Sequence, residues 1–188
     1  MSLEITRLIS TAPTIAALSQ ILIEVVANGG SVSFMHPLDP QVAADFWDRS
    51  LAAADCGKRV VLGACLEGEL VGTVTLDLDG PQNQPHRADI AKLMTKVRCR
   101  GLGVARALML EAERIAVSGG RTLLTLDTAA EDGAAGLYER LGYEFAGAIP
   151  DYALKPLGGL TATLIYFKRI GERSGAGVVS HPSRSWRP

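Results

Sequence analysis

The sequence is short of several features that would point to particular classes of protein. Its cysteines number only three and stand at no metal-ligand spacing, so we expect neither a disulfide framework nor a metal site. The formal net charge of −1 leaves no global positive field that would attract nucleic acid. The apolar stretch over 15–26 is interrupted by Gln20 and Glu24 and is shorter than the ~20 residues that span a bilayer. Nucleic acid and membrane are therefore not expected as partners.

What remains is typical of one globular domain. The 188 residues suffice for a sizeable core, and 47% of them are hydrophobic against 21% charged. The first four residues do not begin a basic segment followed by an apolar one, and reduced thiols are the simplest reading of the cysteines, so a cytoplasmic protein is expected. Residues 171–188 are rich in Ser, Gly, Arg and Pro and lack periodicity. This composition predicts a flexible C-terminal tail that follows a domain over 1–170.

The hydrophobic periodicity predicts an α+β chain with the element order βααβββαβαββ. The predicted strands cover 3–9, 59–66, 70–78, 88–97, 122–128, 143–148 and 161–169. The predicted helices cover 11–27, a segment that begins near Asp39-Pro40, 102–117 and 132–141.

A turn with two glycines connects the apolar strand over 88–97 to the long helix that follows it. Glycines such as Gly101 and Gly103 permit strained backbone angles and let a phosphate approach closely. The free N–H groups and the dipole of the following helix would bind a pyrophosphate, and Arg98 and Arg100 add local positive charge. The same glycines could also serve only as a tight strand–helix junction, and the turn alone does not decide between the two.

Two other phosphate-binding motifs fail at this turn. The nucleoside triphosphate loop needs Gly-Lys-Ser/Thr at its end, whereas Gly103 is followed by Val104 and Ala105. The dinucleotide fingerprint needs a third glycine where Arg106 stands, and an early strand.

The motif Arg98-x-x-Gly101-x-Gly103, with its helix, resembles the acetyl-CoA pyrophosphate motif of the GNAT superfamily of acyl-CoA N-acyltransferases. Residues 134–143, with Tyr138 followed by Gly142-Tyr143, resemble the family's second signature. Segments 86–94, 126–128 and 149–153 are similar to the tabtoxin resistance acetyltransferase and its uncharacterised bacterial relatives.

The resemblance implies a mixed, mostly antiparallel sheet of six to seven strands, flanked by about four helices, with strands 4 and 5 splayed for acetyl-CoA. It implies an N-acetyltransferase that moves the acetyl group from acetyl-CoA to a primary amine of a small molecule, such as an antibiotic or toxin-like amine, by direct attack in a ternary complex. No metal is implied. The alternatives are an acetyltransferase of peptide or protein amines and a non-catalytic coenzyme A-binding module. Monomer and homodimer both remain open.

The acetyl-CoA contacts implied by the resemblance are made mostly by backbone groups. They cover Leu93, Met94, Thr95, Lys96, Val97, Arg98, Cys99, Arg100, Gly101, Leu102, Gly103, Val104 and Ala105. A backbone N–H of the strand over 93–97 is the expected donor to the oxyanion. Glu131 departs from the family pattern, because many members carry an asparagine there that contacts coenzyme A. A glutamate would disfavour a phosphate.

Acetyl transfer to an amine needs a base for the ammonium and a proton for the leaving thiolate. Asp89 and Asp127, near the ends of neighbouring strands, are the candidates for base and amine recognition, and the sequence leaves open which is the base. Tyr138 matches the family's general acid, since a phenol of pKa ~10 can protonate a thiolate whose conjugate acid has a pKa near ~8.5. Each of these residues could instead have a local structural role.

The acceptor side is predicted less sharply than the donor side. Asp151 and Tyr152 fall in a predicted loop before the last strand, where this fold admits substrate. The segment over 34–36 is a candidate for the opposite wall. Cys99 would support a covalent acetyl-cysteine route only with a histidine partner, and the sequence offers none nearby.

Overall fold

A seven-stranded mixed sheet organises the computed structural model, which describes residues 2–131 and 133–171. The strands are β1 Leu3–Arg7, β2 Arg59–Leu66, β3 Glu69–Asp77, β4 Arg87–Thr95, β5 Leu123–Ala129, β6 Glu144–Leu154 and β7 Leu160–Arg169. The helices are α1 Ala12–Ala27, α2 Pro40–Asp55, α3 Val104–Ser118 and α4 Ala135–Arg140, with a short 3-10 turn at Val97–Cys99. The sheet order is β1-β2-β3-β4-β5-β7-β6, which confirms the predicted α+β fold. Apart from Gly171, the predicted tail lies outside the described residues.

The first two helices begin at the capping signals that the sequence carries. Thr11 accepts a hydrogen bond from the Thr14 N–H at its side-chain oxygen (3.3 Å) and caps α1. Asp39 accepts one from the Gln41 N–H (2.7 Å) and caps α2, with Pro40 in the first turn. Each cap satisfies a backbone N–H that has no partner inside the helix.

The two faces of the sheet are covered by different helices. On one face, α3 packs Leu108 and Met109 against Leu124 of β5. On the other face, α1 and α2 pack against Val61 of β2, and Trp47 of α2 is fully buried there. Among the described residues, no helix is long and apolar enough to cross a bilayer.

The parallel pair β4 and β5 separates part-way along its length. Pairing runs from Arg87–Leu123 to Ile90–Leu126 and then stops, although β4 continues to Thr95 and β5 to Ala129. A gap therefore opens between the carboxyl ends of these two strands, as the splayed arrangement predicts.

A bulge in β4 lies beside this gap. Thr75 of β3 pairs with Ala91 and Thr73 pairs with Met94, so two residues of β4 oppose one residue of β3. Lys92, in the bulge, has φ +51°, which is uncommon for a residue with a side chain. The bulge changes the direction of the strand at the point where it leaves β5.

Gly72 keeps β3, β4 and α3 in close contact beside the gap. A Cβ at this position would come within 2.9 Å of the Met94 carbonyl oxygen and of a Val104 methyl group. We expect Gly72→Ala to lower the free energy of unfolding by roughly 1–3 kcal/mol, because backbone and helix must move apart. Urea denaturation measures this. Gly147→Ala in β6, where a Cβ meets no atom within 4 Å, is the matched control and should change stability by no more than about 0.5 kcal/mol.

The predicted element boundaries differ from the observed ones at several places, and three of the differences bear on the site. β6 continues to Leu154 across a register shift, so Asp151 and Tyr152 belong to a strand and not to a loop. The third helix starts at Val104, two residues later than predicted, because Gly101 and Gly103 keep positive φ in the turn. The fourth helix is shorter than predicted and spans Ala135–Arg140.

Candidate active site

A cleft of about 480 Å³ lies at the gap between β4 and β5. The end of α1 and the loop over 28–33 form one wall, and β4 over 90–95 forms the floor. Arg100 and Ala105 line one end, while Asp127 and Tyr138 line the side formed by β5 and α4. The cleft thus connects the start of α3 to the carboxyl end of β5.

The glycine turn forms the end of this cleft at α3. Gly101 and Gly103 have φ of +78° and +82°, and a Cβ at either position would meet no described atom within 4 Å. Gly103 is the N-cap of the 15-residue helix α3, and no side chain of the described residues caps it. Its first N–H groups and the helix dipole therefore face open space, which fits a pyrophosphate.

The two arginines predicted at the turn have different environments. Arg98 is bonded to the Glu69 carboxylate, which also accepts a hydrogen bond from Lys96 Nζ (2.7 Å). Hydrogen bonds from Arg98 and Lys96 lower the pKa of Glu69 to about 2. Arg100, in contrast, lines the cleft. Of the predicted pair, Arg100 is therefore the one positioned toward a ligand in the cleft.

Tyr138 lies between the hydrophobic core and the cleft. Its side chain is 5% exposed and lines the cleft from α4. Its ring contacts Tyr143 edge-on at 6.0 Å between centroids and Tyr166 in a tilted arrangement at 5.9 Å. The packing fixes the ring, so the phenol is held at the cleft in one orientation.

The two candidate aspartates are on the same face of the sheet but in different surroundings. Asp127 lines the cleft at the end of β5, where Thr163 donates a hydrogen bond to it (3.3 Å). Asp89 accepts hydrogen bonds from the Arg87 guanidinium (2.7 Å) and from the Thr125 hydroxyl, and it is not among the residues that line the cleft. The geometry therefore separates an aspartate at the cleft from one inside a polar network.

Residues 30–143 match the model of the acetyltransferase (GNAT) family. This chain belongs to the GNAT family. It is accordingly an acetyl-CoA-dependent N-acetyltransferase.

Solved structures show the same fold at low sequence identity. A phosphinothricin acetyltransferase from Sinorhizobium meliloti, solved with acetyl-CoA, is 19% identical with a TM-score of 0.77, covering 97% of this chain and 94% of that one. A ribosomal-protein-alanine N-acetyltransferase from Brucella melitensis is 21% identical with a TM-score of 0.74 over 89% and 99%. An N-acetyltransferase from Staphylococcus aureus Mu50 is 15% identical with a TM-score of 0.75 over 90% and 99%.

The cleft of this GNAT protein also contains a lysine that the sequence reasoning did not select. Lys92 donates a hydrogen bond to the Ser33 hydroxyl (3.1 Å) and lies over the rings of Phe34 and Phe46. Burial lowers the pKa of the Lys92 ammonium, and the nearby Asp127 carboxylate opposes that effect. The available signal was a single charged residue within an otherwise apolar stretch of β4.

A second residue that was not predicted to contribute to the site holds the chain just after β4. Glu24 of α1 accepts a hydrogen bond from the Val97 N–H (2.7 Å), beyond the last residue of the strand. The contact joins α1, whose end lines the cleft, to the 3-10 turn that precedes Gly101. The available signal was a glutamate within an otherwise apolar helix.

The remaining candidates are placed as follows. Glu131 lines the cleft and is paired with Lys155 Nζ at 3.0 Å, so its charge is partly compensated. Asp151 and Tyr152 are exposed on β6 and do not line the cleft. Cys99 is 2% exposed in the core, where its thiol has no access to a substrate. No cluster suited to a metal ion occurs in residues 2–131 or 133–171.

Proposed function

We propose that this GNAT protein acetylates the primary amine of a small molecule in the cytoplasm, by direct attack within a ternary complex. The observation that carries the proposal is the continuity of the cleft. One cavity contains the start of α3 at one end, where a phosphate would bind, and Asp127 and Tyr138 along its side. A small acceptor of the antibiotic or toxin-like kind is proposed from the similarity of segments 86–94, 126–128 and 149–153 to the tabtoxin resistance acetyltransferase.

The turn at the start of α3 holds the donor. The N–H groups of Val104 and Ala105 and the side chain of Arg100 bind its pyrophosphate, and the glycines keep the approach open. Acetyl-CoA supplies a thioester, which is activated toward attack by an amine. The β4 backbone over 91–95 has no β5 partner, so its polar groups on that side are available to the donor and to the thioester oxygen.

The residues beside the gap handle the protons. Asp127 binds the acceptor ammonium and takes a proton from it, which frees the lone pair of the nitrogen. As the C–N bond forms and the C–S bond breaks, Tyr138 donates its proton to the leaving sulfur. The second proton that the nitrogen loses on becoming an amide then restores the Tyr138 phenol, and Asp127 releases the first proton to water. Asp89 does not contact the amine, since its charge is offset by Arg87; its bond to Thr125 holds β4 and β5 together below the gap.

A screen of primary amines that follows free thiol release tests the proposal. We expect at least one small amine to give saturable thiol release, with the acetylated product found by mass spectrometry. Both substrates should have to be present before any product forms, because the thiol of Cys99 is buried and holds no acetyl group in between. Turnover confined to peptides, or tight acetyl-CoA binding without turnover of any amine, would refute it.

A further inference from the structure

Lys92 is a partly desolvated cation in the cleft, and no anionic side chain of residues 2–131 or 133–171 is in contact with it. An ammonium has three N–H donors, and the Ser33 hydroxyl is the hydrogen-bonding partner of Nζ. Two aromatic rings lie under Nζ, with centroids at 6.0 Å for Phe34 and 5.7 Å for Phe46. No carboxylate of the described residues lies within 4.0 Å of it. N–H donors of the charged Lys92 ammonium are therefore left facing the cleft.

The position of this cation is on the acceptor side of the cleft. Ser33 belongs to the loop that forms the wall opposite β5, and Asp127 is close enough to influence the Lys92 pKa. The donor turn has its own cation in Arg100 and its own helix dipole. A positive and a negative side chain thus share the space left for the acceptor without forming an ion pair with each other.

We propose that Lys92 binds an anionic group of the acceptor, so that the acceptor is a small zwitterion of the α-amino acid type with its amine at Asp127. The inference rests on the proposed function and adds the chemical class of the acceptor. A carboxylate, phosphonate or phosphinate would use the remaining donors of Nζ.

The electrostatics of the site favour such an acceptor over a simple amine. A cation buried without a counter-ion costs free energy, and an incoming anion recovers it through a charge-assisted hydrogen bond. The lowered pKa of Lys92 has burial as its largest cause, then Asp127 in the opposite sense, then Arg59, and a bound anion would raise this pKa again. A plain alkylammonium would be attracted by Asp127 and repelled by Lys92.

The test compares acceptors with and without a negative charge beside the amine. Purified protein is assayed by thiol release with the common α-amino acids, their carboxamides and the amines that lack the carboxyl group. We expect kcat/KM for the best acid to exceed that for its amide by about 10- to 100-fold, the worth of one charge-assisted hydrogen bond. In Lys92→Met this ratio should fall to about 1–2, mainly through a higher KM for the acid.

Three controls separate this role from a structural one. Lys92→Arg keeps the charge and should keep the preference for acids. Lys58→Met, which removes a lysine paired with Asp79 on the surface, should leave every ratio unchanged. The melting temperature and the acetyl-CoA affinity of Lys92→Met should match those of the unaltered protein.

The outcomes distinguish the inference from the proposed function. Turnover of amides or plain amines at least as fast as acids would overturn the role of Lys92 and leave acetylation of a small amine standing. An equal loss of kcat/KM for acids and amides in Lys92→Met would also overturn it. That result would mean that Lys92 acts through Asp127 and does not bind the anionic group of the acceptor. If no compound of the three groups is acetylated but the amine screen yields another small acceptor, the role of Lys92 is overturned and the proposed function stands. If the screen yields no acceptor either, the proposed function fails.

Discussion

Replacing Tyr138 with phenylalanine is expected to lower kcat by roughly 10²–10⁴-fold, the usual contribution of a positioned general acid. The ring would stay in place, because Tyr143 and Tyr166 hold it by packing and its side chain is 5% exposed. The acetyl-CoA affinity should change by less than about twofold, since the donor turn is untouched. Steady-state kinetics with an acceptor from the amine screen, together with calorimetry of acetyl-CoA binding, measure both quantities.

Tyr166→Phe is the matched control for this substitution. Tyr166 belongs to the same aromatic cluster, is 2% exposed and donates a hydrogen bond to Glu139 (3.3 Å), but it does not line the cleft. It should therefore retain turnover within about threefold. Equal turnover in Tyr138→Phe and the unaltered enzyme would show that Tyr138 only packs α4 against the sheet.

Replacing Gly103 with glutamate is expected to weaken acetyl-CoA binding by about 100-fold or more, close to 2.7 kcal/mol. Two causes act together at this position. A side chain at φ +82° strains the backbone, and a carboxylate would enter the space in front of the first N–H groups of α3. Isothermal titration calorimetry with acetyl-CoA measures the loss.

The far end of the same helix provides the control. Gly120 has φ +73°, and a Cβ there also meets no described atom within 4 Å, so Gly120→Glu introduces the same charge and a similar strain. It lies beyond the carboxyl end of α3 and should leave acetyl-CoA affinity within about twofold. An equal affinity of both variants for acetyl-CoA would place the pyrophosphate somewhere other than the turn.

Much of the fold was predictable because its signals are local. The Thr11 and Asp39 caps, the apolar run of β2 and the glycines of the turn before α3 each act within a few residues of chain. The splayed strands 4 and 5 followed from the resemblance to a known family. These features fixed the element order and the position of the donor turn.

The site was predicted less completely, because it depends on contacts between distant segments. The pairing of Glu69 with Arg98 crosses 29 residues and decides which arginine faces the cleft. The contact between Lys92 and Ser33 crosses 59 residues and depends on a bulge that hydrophobic periodicity does not reveal. Asp151 was placed in a loop for a similar reason, since the register shift in β6 interrupts the alternation of a strand.

The pairing of Glu69 with Lys96 and Arg98 also bears on how the enzyme encounters a polyanionic donor. One carboxylate offsets part of the positive charge that the chain places beside its phosphate site, and the whole molecule carries a formal charge of −1. Long-range attraction is therefore weak, and capture depends on the backbone N–H groups and Arg100 after contact is made. Such short-range recognition makes the association rate depend on collision geometry and only slightly on ionic strength.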